Sequence, residues 1–403
     1  MLLTALPYHI KIADYFKQQS KTWDFFSANQ NKDAQLSELK TELLKNTYKF
    51  DETADAALYG KIKIAKEKLQ LDIPVTIYQA QYTDELNASI VYVGNEAHII
   101  FSGQIIKLLN EEELLAVIAH ELTHVKLYSM KNGELEIADR IITSIANNYG
   151  SEAVHFETAK LFKLYTEIFC DRGAYLVTGK VEPIITSLVK LATGLENINA
   201  DSYVKQAEEI FSAKADTKTE QVTHPENFIR ARAIHLWHTQ NATAETTITE
   251  MIEGNPTLDN LDLFQQKSLS SLTKTVLQLY LKPRWFQSAL AMGLVKQYFP
   301  NYTNNEKILL QKETVEAIEK SHSSIKNYLA YLLVDFALAD MSLEEIPLGW
   351  AFQLAEDLGL KNSFDTIIKK ELQLSDKKLQ QRKQQSISAF QGVKENEAEQ
   401  IYE

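Results

Sequence analysis

Two histidines four residues apart form the most informative chemical pattern in this sequence. His120 and His124 enclose Glu121 in the segment His-Glu-Leu-Thr-His. Residues four apart share one face of an α-helix, so two neutral imidazoles placed in this way can bind one zinc ion. The carboxylate beside the first histidine is then positioned to act as a general base toward water. The pattern predicts a zinc-dependent hydrolase with His120 and His124 as metal ligands and Glu121 as the base.

A catalytic zinc site needs a third protein ligand, and a segment about forty residues downstream offers one. Glu167 and Asp171 lie four residues apart in Glu-Ile-Phe-Cys-Asp. We predict that Glu167 binds the metal and that Asp171 orients a ligand imidazole through a hydrogen bond. Other side chains with spacing that also permits ligation are Glu134, Glu136, His155 and Glu157.

The single cysteine of the chain allows a different kind of site. Cys170 follows Glu167 by three residues. As a fourth ligand its thiolate would close the coordination sphere and make the zinc structural. Burial as a small apolar side chain is the interpretation we favour, since unpaired cysteines are usually packed in cores.

The elements that must position these residues are indicated by capping signals and periodicity. Asn110 and Glu113 form a capping-box pattern, and Asn132-Gly133 is a stop signal, so a helix is predicted over about 111–131. A second amphipathic stretch covers about 151–177. The β-branched runs at 75–78, 89–93 and 97–101 predict a small sheet, with the last two runs joined as a hairpin.

Composition and charge limit the classes of function. The 403 residues carry a net charge of −12, so we expect no nucleic-acid partner. One cysteine excludes an intramolecular disulfide and favours a cytoplasmic location. The sequence contains neither a signal-peptide pattern at its start nor an apolar run of about 18 residues, so no membrane span is expected.

Several motifs together resemble metallopeptidase family forty-eight, the gluzincin group that contains HtpX-type and CAAX prenyl endopeptidases. They are Glu112–Val117, His120–His124, Glu167–Asp171, and Thr223–Pro225 with Arg230. The resemblance covers about residues 55–240. Many members of this family carry transmembrane helices, whereas none is expected here, so soluble proteins or peptides are the expected substrates.

The resemblance implies a role for each matching residue. One zinc ion per chain is bound by His120, His124 and Glu167, with Glu121 as the catalytic base. Asp171 becomes the partner of a ligand histidine, and Arg230 braces the local structure. His224 becomes a donor to the oxyanion of the tetrahedral intermediate, although Thr223-His224-Pro225 is also an ordinary pattern for the first turn of a helix.

The predicted fold class is mainly α with a small β-sheet, an α+β zincin catalytic domain followed by an all-α C-terminal domain. Four segments are expected. Residues 1–54 form N-terminal helices that pack on the catalytic domain, residues 55–250 form that domain, and residues 257–374 form the helical C-terminal domain. Residues 375–403 form a charged tail, which is either a solvated helix or a frayed end.

An extended peptide substrate is expected to pair with a sheet edge, because main-chain hydrogen bonds place a scissile bond without demanding particular side chains. The run 97–101 is predicted to be that edge, with Ala97, Ile99 and Phe101 as substrate contacts. A soluble endopeptidase is the preferred interpretation. An oligopeptidase or aminopeptidase, and a helical scaffold protein with a structural or inactive zinc site, are the alternatives.

The helical C-terminal domain is expected to bind a protein partner or to select substrates. Its segment Asn327–Glu345 resembles the tellurite-resistance B-like helical module, although the glycine usual after the aspartate is Met341 here. The preferred interpretation of this segment is an interhelical turn in which Ser342 caps the next helix and Glu345 completes a capping box.

Overall fold

The computed structural model describes residues 3–28, 32–214 and 216–397. The chain divides into two compact units, Met1–Gly254 and Asn255–Glu403. The first unit combines helices with a small sheet, and the described residues of the second are helical without strands, so the predicted fold class is confirmed. The finer division into four segments stays a prediction.

The described part of the first unit contains helices and strands in the following order. They are α1 (Pro7–Lys17), α2 (Ser20–Ala28), α3 (Lys32–Asn46), β1 (Thr47–Lys49), α4 (Ala56–Leu69), β2 (Val75–Ala80), β3 (Asn87–Val93), β4 (Glu96–Ser102), α5 (Ile105–Leu108), α6 (Glu111–Ser129), α7 (Glu134–Ala146), α8 (Ala153–Thr178), α9 (Glu182–Thr193), α10 (Ala200–Ala213), α11 (Asn227–Gln240) and α12 (Glu245–Glu253).

The sheet formed by the described strands has the order β1-β2-β4-β3. β4 pairs in parallel with β2 and antiparallel with β3, so it is an inner strand and β3 lies at the edge. Ala97, Ile99 and Phe101 point into the core and have no exposed surface. The prediction that they belong to an edge strand is wrong, because β2 covers the side of β4 that the hairpin leaves open.

α6 begins where its capping residues predict. The Asn110 side chain accepts hydrogen bonds from the backbone N–H groups of Glu112 and Glu113, and Glu113 accepts one from the backbone of Asn110. Glu113 is also buried against Lys190 of α9, with 2.9 Å between Nζ and Oε2. The capping box therefore begins α6, and its Glu113 also links α6 to α9 through Lys190.

α8 is the long helix that packs along α6. Seventeen of its residues are buried, and it ends at Gly179 in the left-handed conformation. Where the two helices meet, Gly173 faces the side chain of Thr123 so closely that a Cβ atom would overlap it. Glycine is therefore needed at this crossing because the backbone of α8 approaches α6 directly.

The second unit is built from helices around its own apolar core. They are α13 (Leu263–Tyr280), α14 (Ala289–Tyr298), α15 (Lys312–Lys320), α16 (Ser323–Ala337), α17 (Ile346–Asp357), α18 (Lys361–Glu371) and α19 (Asp376–Glu397). α19 buries Leu379 and Phe390 in that core, and Gly349 of α17 lets the backbone at Ser386 approach. A helix is one of the two forms that the composition of this segment predicts, and its few apolar residues are used for packing.

The turn before α17 also differs from its prediction. The Asp340 carboxylate, rather than Ser342, accepts the capping hydrogen bond, which comes from the Ser342 N–H at 3.0 Å. Glu345 pairs with Arg382 and accepts a hydrogen bond from Ser386. The predicted capping box does not form, since Glu345 is drawn to α19. The resemblance of this segment to the tellurite-resistance module stays a prediction.

Across the described ranges, no helix combines the length and the apolar character that crossing a membrane requires.

Candidate metal centre and catalytic cleft

The two histidines of α6 stand together on one side of the helix, as their spacing predicts. The centroids of the His120 and His124 rings lie 5.2 Å apart, with the rings nearly perpendicular. Both side chains line a cleft of about 580 Å³ in the first unit. α6 thus holds two imidazoles at one wall of a cavity large enough for a ligand.

Glu167 reaches both imidazoles from α8. Its Oε2 atom lies 3.4 Å from Nε2 of His120, and its Oε1 atom lies 3.7 Å from Nε2 of His124. Tetrahedral ligands with bonds of 2.0–2.1 Å are separated by about 3.4 Å. The three side chains therefore have the spacing of ligands around one small cation.

Asp171 and Arg230 hold His120 and Glu167 in place through hydrogen bonds and ion pairs. The Asp171 Oδ1 atom lies 3.0 Å from Nδ1 of His120, which leaves Nε2 of that ring directed at the cleft. Arg230 of α11 donates two hydrogen bonds to Asp171, at 2.9 and 2.6 Å, and its Nη1 lies 3.3 Å from Glu167. Asp171 thus orients the His120 ring, and Arg230 orients both carboxylates.

Burial and mutual electrostatic interactions shift the pKa values of His120, His124 and Glu167. Burial lowers the pKa of His120, but hydrogen bonds to Asp171 and Glu167 outweigh it and raise that pKa to about 9. Burial lowers the pKa of His124 to about 4. Burial raises the pKa of Glu167, but the hydrogen bond from His120 and the charge of Arg230 hold it far below its usual range. The three side chains therefore interact electrostatically with one another at the wall of the cleft.

Glu121 lies in the same cleft beside the histidines and is almost fully buried. Burial raises the pKa of its carboxyl group to about 7, and the neighbouring Glu167 contributes in the same direction. A carboxylate of this kind exchanges protons readily near neutral pH, as a general base must.

The competing ligands proposed from spacing have other partners or positions. Glu134 pairs with Lys17, Glu136 with Arg140 and Glu157 with Lys160. The Nδ1 atom of His155 has no hydrogen-bond partner among the described residues, and His155 is not among the residues that line the cleft. Glu167 is therefore the carboxylate that the fold brings to the His pair.

Cys170 is close enough to His120 and His124 to be a possible metal ligand. Ligand atoms of His120, His124 and Cys170 all lie within 4.8 Å of one another. The thiol is completely buried, and burial together with the nearby carboxylates raises its pKa well above its usual value. A neutral thiol is a poor ligand compared with the carboxylate of Glu167, although metal binding can deprotonate a coordinating thiol.

His224 occupies the loop between α10 and α11 and is the exposed member of the group. Its Nε2 lies 3.6 Å from Oε1 of Glu167, and its Nδ1 lies 3.0 Å from the Thr223 hydroxyl. With 63% of its side chain exposed, it stands at the open side of the cleft. An imidazole in this position faces a molecule bound in the cleft.

The sheet contributes its edge strand to the cleft. Asn87 to Ile90 and Tyr92 of β3 line it, whereas Ala97, Ile99 and Phe101 lie in the core behind them. The strand that borders the cleft is therefore β3, whereas the predicted substrate contacts lie on β4.

Two further cleft residues escaped the sequence interpretation. Tyr128 donates a hydrogen bond of 2.8 Å to Asp139 of α7, and both line the cleft. Tyr128 follows His124 by four residues, so its place on the same helical face was available as a signal. The position of Asp139 depends on tertiary packing and gave no such signal.

This arrangement indicates a class of site. Two imidazoles and a carboxylate converge beside a second buried carboxylate and an exposed sheet edge, which suits a divalent metal ion and a peptide. These are the features of a metallopeptidase site.

Comparison with known proteins shows a similarity to one family. Residues 60–238 match the model of peptidase family M48. His120, Glu121, His124, Glu167, Asp171, His224 and Arg230 all lie within the matched range.

A curated relative is similar to part of this chain. Plastoglobule-localized metallopeptidase 48, chloroplastic, from Arabidopsis thaliana is 28% identical over 197 residues, which cover 45% of this chain and 56% of the relative. The chain thus spans about half the length of the curated relative that it matches. No solved structure matches it significantly.

Proposed function

We propose that this chain is a zinc-dependent peptidase that hydrolyses internal peptide bonds of soluble polypeptides. The observation that carries the proposal is the carboxylate of Glu167, whose two oxygens approach Nε2 of both histidines. Glu121 lies in the same cleft. Metal-assisted hydrolysis of a peptide bond requires both metal ligands and a separate general base.

His120, His124 and Glu167 would hold one zinc ion. When bound, zinc supplies a Lewis acid that polarises a carbonyl group and makes water more acidic. Asp171 keeps the His120 ring in the orientation that presents Nε2, and Arg230 keeps Asp171 ionised by its charge. Burial raises the pKa of Asp171, but Arg230 outweighs it and lowers that pKa.

In this proposal Glu121 transfers protons and His224 stabilises the negative charge that develops on the substrate. Glu121 takes a proton from the attacking water and passes it to the amine that leaves. The His224 imidazole donates a hydrogen bond to the carbonyl oxygen of the substrate as negative charge develops there. Its place opposite α6, near Glu167, supports this role.

A peptide substrate would add to the outer edge of β3 as an additional strand. The seven residues of β3 offer backbone groups along the cleft, on either side of a scissile bond placed near His120. A strand of this length favours an endopeptidase. Digestion of casein into internal fragments supports that choice, whereas removal of single terminal residues or cleavage of only short peptides supports the exopeptidase or oligopeptidase alternative.

The test of the proposal is Glu121→Gln. Purified protein should contain about one zinc ion per chain by elemental analysis, and chelation should abolish casein digestion. Glu121→Gln should keep the zinc and lose the activity, because the base is not a ligand. Glu112→Gln, an exposed change on the same helix, is the matched control and should keep both. Full activity in Glu121→Gln would refute the mechanism.

A second function is favoured by the position of Cys170. If its Sγ, which lies within 4.8 Å of the ligand nitrogens, completes the coordination, the zinc is structural and the protein is a helical scaffold. Chelation would then lower the melting temperature without any cleavage to lose, and Cys170→Ser would release the zinc. Retention of zinc and activity in Cys170→Ser excludes this alternative.

We also propose a cytosolic location and a protein partner for the helical second unit. The lone, buried cysteine supports a reducing compartment. The relative is named as chloroplastic and plastoglobule-localized, so fractionation of source cells against cytosolic and organelle markers is the decisive measurement. Recovery with an organelle would refute the location.

A further inference from the structure

A second cavity of about 690 Å³ lies in the first unit, on another side of α8 from the catalytic cleft. Glu167, Asp171 and Ala174 of α8 line the cleft. Residues one position further along the helix turn about 100° away from them. Those on this second face line the second cavity, and they are Tyr165, Ile168, Arg172, Tyr175, Leu176 and Gly179.

The remaining walls come from elements far apart in the sequence. Leu3 to Tyr8 and Lys11 supply one side, Trp237 of α11 a second, and Glu245, Ile248, Thr249 and Glu253 of α12 a third. Most of these groups are aliphatic or aromatic. The size and the apolar walls are those of a small-molecule site.

The polar groups of the walls are already paired with one another. Arg172 donates to both carboxylate oxygens of Glu245, at 2.8 and 3.0 Å, and its guanidinium stacks 3.9 Å from the centroid of Trp237. The Tyr165 hydroxyl donates to Glu253 at 2.6 Å. The strongest polar groups of the walls are therefore engaged with neighbours and do not call for a charged ligand.

Charge balance points in the same direction. Apart from tyrosines, the ionisable residues of the described walls are two bases, Lys11 and Arg172, and two acids, Glu245 and Glu253. Water in such a cavity meets mainly apolar walls, so its displacement by an apolar molecule is favourable. A carboxylate placed there would lose hydration and would find no excess of bases over acids among these described wall residues.

We propose that this second cavity binds an uncharged, mainly apolar small molecule with an aromatic or long aliphatic body. The site is separate from the catalytic cleft and does not depend on the proposed peptidase activity. Its occupant contacts Arg172, the residue next to Asp171, on a face of α8 about 100° from the cleft.

The neutral fluorophore N-phenyl-1-naphthylamine is a suitable probe for the full-length protein. We expect saturable binding to one site and displacement by 1-dodecanol. Dodecanoate should displace the probe at least about tenfold less well, because its charge must be buried. Binding without saturation, or equal displacement by dodecanoate, would overturn the proposal.

Cavity-filling variants locate the probe. Leu176→Trp and Thr249→Trp place an indole in the cavity from two different walls, and each should weaken probe binding at least about tenfold. Leu195→Trp is the matched exposed control, and Leu188→Trp fills the catalytic cleft instead. Both should bind the probe like the wild type.

The melting temperature of each variant separates folding from binding. Lost binding in at least one filling variant that melts like the wild type supports the site. Retained affinity in both filling variants, or loss in Leu188→Trp alone, would show that the probe lies elsewhere and would overturn the proposal.

Discussion

The two faces of α8 handle their polar groups in opposite ways. Toward the catalytic cleft, Glu167 and two histidines direct lone pairs and charge into a common space. Toward the second cavity, Arg172 is paired with Glu245 and covered by Trp237. Polar groups that converge on one open space suit a cation, whereas polar groups paired with one another within a wall leave the space to an apolar molecule.

The largest expected effect comes from removing the carboxylate ligand on the cleft face. Glu167→Gln should lower zinc affinity and kcat/KM by more than about 100-fold, since a ligand matters more than the groups that orient it. Zinc titration with a competing chelator measures the first and peptide cleavage the second. Cys170→Ser, three residues away on the same helix, should keep both within about twofold.

A smaller loss of zinc affinity is expected when the residue that orients His120 is changed. Asp171→Asn should reduce zinc affinity about 10–100-fold, because the His120 ring loses its charged partner. Arg172→Lys is the adjacent control on the other face and should leave zinc affinity unchanged. Equal losses in the two variants would contradict the separation of the faces.

The contact between α6 and α8 provides a stability test. Gly173→Ala should lower the free energy of unfolding by about 1–3 kcal/mol, because the new methyl group overlaps Thr123. Gly60→Ala in α4 has open space around it and should instead stabilise by up to about 1 kcal/mol. Urea unfolding of the two variants compares the positions directly.

The smallest effect concerns His9, which packs on α8 against Phe162 and Phe169 and contacts the Thr166 hydroxyl at 3.2 Å. Burial lowers the pKa of His9 to about 3. The unfolded chain, with a pKa near 6.5, binds more protons, so the stability due to His9 is complete above pH 6.5 and is lost as pH falls toward 3.

This dependence should cost about 1 kcal/mol between pH 6.5 and 5.5. His9→Phe keeps an aromatic ring in the same place and should flatten the pH profile of the unfolding free energy over that interval. An unchanged slope in His9→Phe would show that another group causes it.

Local sequence patterns predicted where helices and strands lie better than they predicted which of these elements contact each other. Asn110 and Glu113 predicted the start of α6 because a capping box depends on four consecutive residues. The short strand β1 was missed, since three residues between helices carry little periodicity. The hairpin of β3 and β4 was predicted, but its sequence does not show which strand β2 covers.

The same distinction applies to the candidate sites. Spacing of four residues was sufficient to propose His120 with His124 and Glu167 with Asp171, and the fold brings these pairs together. Their roles in catalysis stay predictions. The second cavity has no local signal, because its walls range from Leu3 to Glu253.

The contact of Gly173 with Thr123 also bears on the distance between the proposed metal ligands. It keeps the backbones of α6 and α8 at one separation, and with them the histidines on one helix and Glu167 on the other. A substitution that forces α6 and α8 apart at this contact would therefore change the distance between the two histidines and Glu167, although Gly173 itself touches none of them.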